Sequence, residues 1–265
     1  MKSLLLVFLF VSSVFADVYY SKVEPYEVRN ISSNVSGLVV YTAQESIGRL
    51  LDEKPYIKID AKLDIEELGY IKEKLIYLRD IIKSNEEMLK NQEKILEKKK
   101  LNYKRIEDLK IKSVVEKDRE FYDLVNTQNQ LINTQKAIQN LKVQITDLKL
   151  RRSKLRRVVS DKNLRAKGFV LYEILVKEGQ VVSVSTPLAK VADVSKAILT
   201  IYLDEREAVS AKNKVVYIDG KKTDYKVTRL LNIADSENIS KYMAQIVIKP
   251  PKLFSKLVKI ELKDE

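Results

Sequence analysis

The feature that most constrains the fold is a heptad pattern that runs through the middle of the chain. Between Gly69 and Gly168 about 100 residues contain no Gly or Pro. One series of mostly apolar residues recurs at every seventh position, and a second series follows it three residues later. This spacing is that of the a and d positions of a coiled coil, and it predicts a long helix. These positions are Leu68, Leu75, Ile82, Leu89, Leu96 and Tyr103, with Ile71, Leu78, Asn85, Gln92, Lys99 and Ile106.

A second apolar series predicts another helix that packs against the first. Each helix would have about 45 residues and a length of roughly 65 Å. A turn near Lys112–Glu116 would place Ile71 opposite Leu155 and Leu78 opposite Leu148, so we expect one antiparallel hairpin. The second series is Leu124, Leu131, Ile138 and Ile145, with Leu141, Leu148 and Leu155 between.

Polar residues mark two special places in this hairpin. Asn85, Gln92 and Lys99 occupy predicted seam positions, where they weaken packing and can fix register or partner. The turn contains no Gly or Pro, and Ser113 with Glu116 three residues later predicts a capping box at the start of the second helix.

Two similar β-rich stretches, 35–60 and 165–193, flank the helices. In the first, Gly37 precedes Pro55 by about 18 residues, and in the second, Gly168 precedes Pro187 by about 19, as an internal repeat would give. Gly179 marks a tight turn within the second stretch. Each stretch alone has too few strands to bury a core. We therefore expect the two to form one small sandwich with the helices inserted in it.

The last segment, 195–265, predicts five or six short strands. A short helix is expected at Glu205–Ser210, and Asp219-Gly220 is a hairpin signal. A small β-barrel is the structure that this pattern favours.

Composition excludes several kinds of site. Residues 1–16 are typical of a cleaved secretory signal, with an uncleaved anchor as the alternative. The chain has no Cys and no His, so we expect no disulfide, no lipid anchor on Cys, no histidine base and no His- or Cys-based metal site. We predict no cofactor and no enzymatic activity.

The formal net charge of +12 leaves two interpretations open. The 49 Lys and Arg are mixed with 37 Asp and Glu along the helical faces, which is typical of a solvated coiled coil. Attraction to anionic lipid headgroups is the alternative, with one basic run at Arg151–Arg157. A nucleic-acid partner is not expected.

The chain resembles the HlyD-like periplasmic adaptors, also called membrane fusion proteins, of tripartite efflux pumps and type I secretion systems. Residues 174–182 and 187–193 are similar to the second half of a biotinyl/lipoyl-like domain, and 35–39 with 55–60 to the first half. Glu45-Ser46 departs from the family's Glu-Gly. The resemblance covers nearly the whole chain after the signal.

The resemblance implies an α+β multidomain fold. A long antiparallel coiled-coil hairpin is inserted in a split lipoyl-like β-sandwich, and a small β-barrel follows. The expected segments are a signal peptide (1–16), a lead-in with the first lipoyl-like half (17–62), the α-helical hairpin (63–160), the second half (161–194) and the barrel (195–265).

The resemblance also implies partners and a docking tip. The partners are an inner-membrane transporter, a TolC-like outer-membrane channel and further copies of the chain, as a hexamer. The expected place is the periplasm, soluble or peripherally attached to the inner membrane. At the hairpin tip Arg105, Ile106 and Leu109 fit the family motif, whereas Glu116 holds the place of its Ser and a Ser appears early at Ser113.

Three other functions remain open. A secreted coiled-coil holdase would explain the charge and the hairpin, and a structural interaction protein could share the layout. A carrier subunit is the third, although the junction where carriers modify a Lys is occupied here by the long helices.

Overall fold

The computed structural model describes residues 18–234 and 240–264, so the predicted signal at 1–16 lies outside the described residues. In chain order the elements are β1 (Val18–Lys22), β2 (Glu24–Ser32), β3 (Gly37–Thr42), β4 (Ile57–Ile59), α1 (Lys62–Glu107), α2 (Val114–Asp161), β5 (Asn163–Leu164), β6 (Val170–Ile174), β7 (Val181–Val182), β8 (Pro187–Leu203), α3 (Glu205–Ser210), β9 (Val215–Ile218), β10 (Lys221–Lys222), β11 (Val227–Ala234), β12 (Tyr242–Ile248) and β13 (Leu257–Lys263). They form two compact units.

One unit comprises residues 35–40 and 58–164 and is dominated by α1 and α2. The helices pack antiparallel, since Glu67 near the start of α1 binds Arg151 near the end of α2 at 2.5 Å. Lys99, near the other end of α1, binds Asp123 at 2.7 Å. The predicted seam is confirmed in the half of the hairpin that lies farther from the connecting loop. The core there contains Ile71, Leu75, Leu78, Ile82, Leu141, Ile145, Leu148 and Leu155.

The seam changes character away from this core. Lys99 donates a hydrogen bond to the Thr127 hydroxyl at 2.8 Å, and Thr127 is buried. Thr134 is buried as well, while the side-chain oxygen of Gln92 is enclosed without a hydrogen-bond partner. Such polar contacts lower stability relative to apolar packing but favour one register.

The other unit comprises residues 18–34, 41–57, 165–234 and 240–264 and is built from β-sheets. One sheet has the order β11-β12-β8-β2, with β6 also on β8, and the other has the order β1-β13-β9-β10. In the second half of β8, from Ala197 to Leu203, every other residue is buried in the core, as the two-residue period of a strand requires. The shared core contains Ala197, Leu199, Ile201, Leu203, Val216, Ala244, Ile246, Val258, Ile260 and Leu262.

Two features of this unit differ from the expected strand pattern. The segment from Val18 to Tyr26 is not a mere lead-in, because β1 pairs with β13 and β2 with β8. Moreover, β8 is a single strand of 17 residues that continues through 194/195, where we expected one strand to close and another to begin. Its first half pairs with β6 and its second half with β12.

Several local predictions in the same unit are confirmed. The helix α3 spans Glu205–Ser210 as expected. Asp219 and Gly220 both have positive φ, at 50° and 77°, and they join β9 to β10 in an antiparallel hairpin. Within the described ranges, no helix combines the length and the apolar character needed to cross a membrane.

Candidate hairpin tip

The two long helices are joined by a loop of residues 108–113. Helix α1 ends at Glu107 and α2 begins at Val114. The turn therefore lies a few residues earlier than predicted, because Glu116 belongs to the first turn of α2. From the sequence, Leu109 could be either a seam residue or an apolar contact at the helix ends. It lies in the loop with 44% of its surface exposed, so the seam interpretation is wrong and the contact at the tip stays a prediction.

The predicted capping box is present. The Ser113 hydroxyl accepts a hydrogen bond from the Glu116 amide at 3.3 Å, and the Glu116 carboxylate accepts one from the Ser113 amide at 3.0 Å. Lys112 adds an ion pair to the same carboxylate at 3.0 Å. These bonds satisfy amides that a helix start leaves without intrahelical partners. Glu116 therefore acts as a cap and holds the loop in one conformation.

The charge of Glu116 is stabilised by these contacts. The hydrogen bond from the Ser113 amide, followed by those from Lys112 and the Ser113 hydroxyl, lowers the pKa of Glu116 from 4.5 to about 2. A carboxyl whose pKa is lower in the folded chain than in the unfolded chain stabilises the folded cap. The contribution is complete above the ordinary pKa and disappears as pH falls towards 2.

We expect Glu116 to stay ionised at pH 4 in the folded chain. Carbon-13 NMR of the side-chain carboxyl should show a midpoint near 2, and Ser113→Ala should raise it only in part, because the Ser113 amide and Lys112 remain. The same substitution should cost about 1 kcal/mol of local helix stability, read from hydrogen exchange of the first amides of α2. A midpoint near 4.5 in the unchanged chain would contradict this geometry.

Other contacts stiffen the end of the hairpin. The Lys117 ammonium donates a hydrogen bond to the Glu107 carbonyl at 2.6 Å, at the last turn of α1. A cation at this position also complements the dipole of the helix end. The rings of Tyr103 and Phe121 lie 5.7 Å apart between the helices. The tip is therefore a structured end rather than a loose connection.

An open groove of about 650 Å³ runs beside the tip and contains the predicted motif residues Arg105 and Ile106. Its other lining residues are Asn102, Lys112, Glu116, Arg119, Glu120 and Asp123. The Arg105 side chain is exposed and, within residues 18–234 and 240–264, makes no hydrogen bond or ion pair. Its guanidinium is available to a carboxylate or to carbonyls of another molecule.

Sequence reasoning missed an apolar surface at the same end. Ile111 is 94% exposed, Val115 77% and Val114 72%, and Leu109 lies beside them in the chain. We name Leu109, Ile111, Val114 and Val115 the tip cap. The sequence did contain a sign of this surface: the four apolar residues come after Ile106, the last seam position of α1, and none of them belongs to a heptad series.

The predicted lipoyl-like turn residues occupy turns or close contacts. Gly37 begins β3, where an added Cβ would lie 2.7 Å from Ile59 Cγ2. Gly168 and Gly179 have φ of 84° and 82°, values that favour glycine. Pro55 precedes β4, and Pro187 is the first residue of β8, paired with Ser32.

Within the sheet unit, the segments before and after the helices pair with each other. The Gly48 amide donates to the Leu171 carbonyl and the Leu51 amide to the Phe169 carbonyl, both at 2.8 Å. The Thr42 amide donates to the Glu178 carboxylate at 2.9 Å. Each contact joins residues more than 100 positions apart in the chain, with α1 and α2 between them.

The described part of the chain holds no group of three or more Asp or Glu arranged to bind a metal ion. Known families and curated proteins give no match to the sequence. Solved structures do match.

Three solved structures are similar over almost the whole chain. MacA from Actinobacillus actinomycetemcomitans is 18% identical, with a TM-score of 0.56 over 93% of this chain and 78% of MacA. The membrane fusion protein Spr0693 from Streptococcus pneumoniae R6 is 11% identical, with a TM-score of 0.58 over 94% and 100%. A MacA–MexA chimera with the Pseudomonas aeruginosa MexA α-hairpin is 13% identical, with a TM-score of 0.55 over 94% and 82%. The chain therefore shares its fold with MacA and with the membrane fusion protein Spr0693, and its likeness to the membrane fusion proteins agrees with the resemblance found in the sequence.

Proposed function

We propose that this protein is a periplasmic adaptor that links an inner-membrane transporter to a TolC-like outer-membrane channel for export. The observation that carries the proposal is the similarity to membrane fusion proteins over more than nine-tenths of the chain, with long helices and sheets included. The adaptor supplies a sealed path and transmits changes of shape, and the transporter supplies the energy. No catalytic step belongs to this role.

The proposed layout assigns a mechanical part to each segment. Residues 17–62 and 161–194 would form a split lipoyl-like domain, and residues 63–160 would form the hairpin. Residues 195–265 would form a barrel, to which β1 adds a strand by pairing with β13. The backbone bonds from Gly48 and Leu51 to residues 171 and 169 support the split domain, because they connect its two halves across the insertion. The hairpin, roughly 65 Å long, then reaches across an aqueous compartment.

The tip is the proposed contact with the channel. Arg105 and Ile106 would face it from the groove, and Leu109 with the rest of the tip cap from the end. Ser113 and Glu116 support the contact by holding the loop, since the Glu116 carboxylate is already engaged by Ser113 and Lys112. This explains how a Glu can replace the family's Ser without making the same contact.

The assembly would be a ring of several copies in the periplasm, a hexamer if it follows the family. Peripheral attachment to the inner membrane belongs to the same proposal. The basic run at Arg151–Arg157 is partly engaged within the protein, because Arg151 binds Glu67 and Arg157 binds Asp161.

One observation also fits a holdase chaperone. Large apolar side chains are exposed along the helices, among them Tyr70, Tyr77 and Val143. Such residues could hold unfolded clients.

Photo-cross-linking from the tip in living cells separates the two functions. A photoreactive residue placed at Ile111 should capture one outer-membrane channel, and the same probe at Val209, which is 86% exposed on α3, should not. Capture of many unrelated unfolded proteins at both positions would favour the holdase. Capture of no channel under conditions of active export would overturn the adaptor proposal.

A further inference from the structure

An open groove of about 460 Å³ crosses one face of a sheet in the sheet unit. It begins at β2, passes over β8 and β12, and ends at β11, which is the order of these four strands in the sheet. With neighbouring strands about 4.8 Å apart, the groove is roughly 14 Å long. Its volume is typical of a small-molecule site. We name it the cross-strand groove, and the residues that line it include Tyr26, Glu27, Ile198, Arg229, Gln245 and Val247.

The floor of the groove is apolar. Ile198 of β8 lies directly opposite Val247 of β12, and both are half-buried. Their neighbours Leu199 and Ile246 belong to the core, on the other face of the sheet. A flat apolar molecule that lies across the floor would remove both Ile198 and Val247 from water.

A β-bulge lies at each end of the groove. The register of β2 against β8 shifts at Tyr26, and that of β11 against β12 shifts at Thr228. Bulges redirect side chains and are over-represented beside functional sites. Both of these bulge residues line the groove, and Tyr26 is 43% exposed, so its ring is available to a ligand.

The charges at the groove favour an anionic ligand. The Glu27 carboxylate is already neutralised by Arg29, which donates hydrogen bonds of 2.7 and 2.8 Å to its two oxygens. Within residues 18–234 and 240–264 the Arg229 side chain makes no ion pair, and its hydrogen bond to the Gln245 side-chain oxygen is long, at 3.4 Å. A guanidinium can bind a carboxylate or sulfonate through two parallel hydrogen bonds.

A second cation lies at the opposite end from Arg229. The Lys196 ammonium is 5.7 Å from the centre of the Tyr26 ring, within the range of a cation–π contact. Asp193 offsets this ammonium in part, since the two charges attract each other. The carboxylate–guanidinium pair of the groove is neutral, so the positive charge of Arg229 is left without a counter-charge.

We propose that the cross-strand groove binds an amphipathic organic anion, a small molecule with a flat apolar body and a carboxylate or sulfonate group. The acid group binds the guanidinium of Arg229, and the body lies over Ile198 and Val247 against the Tyr26 ring. Inorganic phosphate fits poorly because it cannot cover the apolar floor. This site goes beyond the adaptor role, since it lies outside the hairpin and needs no channel.

Two fluorescent probes test the site on the purified full chain. Anilinonaphthalene sulfonate carries an acid group, and phenylnaphthylamine has the same ring systems without it. We expect saturable binding of the sulfonate with a dissociation constant on the order of 10–100 µM, because an open groove covers only one side of a ligand of this size.

Variants then locate the binding. Arg229→Gln should weaken binding of the sulfonate at least tenfold, and Arg229→Lys should weaken it less, while neither should change binding of the uncharged probe. Tyr26→Ala should weaken binding of both probes. The matched control is Arg206→Gln, because Arg206 is an exposed arginine of α3 that does not line the groove. It should leave binding of both probes unchanged.

A second control addresses the tip cap, whose exposed apolar residues could also hold a dye. The variant Ile111→Asp, Val115→Asp should leave the saturable binding of the sulfonate unchanged. All of these substitutions alter exposed side chains, so circular dichroism and thermal melting should match those of the unchanged chain.

Several results would overturn the site. They are the absence of saturable binding, unchanged binding in Arg229→Gln, loss of binding in the tip cap variant, and displacement of the sulfonate by phosphate as readily as by a naphthalene carboxylate. None of them bears on the adaptor role, which capture of a channel from the tip tests separately. Binding of the sulfonate without capture of a channel would leave this site standing and the adaptor role wrong.

Discussion

Replacing Ile111 and Val115 with Asp is expected to abolish stable docking of the hairpin on its channel. Both side chains are almost fully exposed in the free chain, so the substitutions should leave the fold intact. Burial of each in a complex would contribute about 1.5–3 kcal/mol, and a buried carboxylate would add a penalty. Because 1.4 kcal/mol corresponds to a factor of ten, affinity should fall at least about 100-fold.

The measurement is the amount of channel that co-purifies with the adaptor after cross-linking from cells. The control is Val209→Asp, which places one of the two negative charges on a similarly exposed residue of α3, outside the tip cap. It should leave recovery unchanged. Arg105→Ala tests the polar part of the contact separately. Unchanged recovery with the double Asp variant would show that the tip cap does not face the channel.

The hairpin could be predicted from sequence because its determinants are local and periodic. The heptad positions around Leu75 and Leu78 are buried as expected, and the capping box of Ser113 and Glu116 forms. The end of α1 was harder to place. Its last turn has no Gly or Pro as a stop signal, so Leu109 looked like one more seam residue.

The sheets were less predictable because their pairing is long-range. Val18 of β1 pairs with Glu261 of β13, and no local pattern reveals a partner at that distance. The continuous strand β8 was misread for a local reason. Its polar residues Ser195 and Lys196 resemble a turn, yet the neighbouring strands provide hydrogen-bond partners on both sides of this point.

The candidate surfaces show the same division. Arg105 and Ile106 were found through a motif, whereas Ile111, Val114 and Val115 became visible only when their exposure was known.

The largest effect on stability is expected from Ile201→Ala in the sheet unit. Ile201 lies in the second half of β8 with 1% of its surface exposed and is paired with Ala244 of β12. Truncation of a buried Ile leaves a cavity that the packed neighbours fill only in part, which costs about 2–5 kcal/mol. For a protein of this size, a loss of about 3 kcal/mol lowers Tm by roughly 6–12 °C.

Ile233→Ala is the matched control, because it removes the same atoms from β11 of the same unit at a position that is 80% exposed. It should shift Tm by about 1 °C or less, since it creates no cavity. Hydrogen exchange gives the location of the effect: amides of β8 and β12 should lose protection in Ile201→Ala and keep it in Ile233→Ala. Equal Tm shifts for the two variants would mean that β8 does not lie at the centre of the core, and the description of the two sheets around it would have to be abandoned.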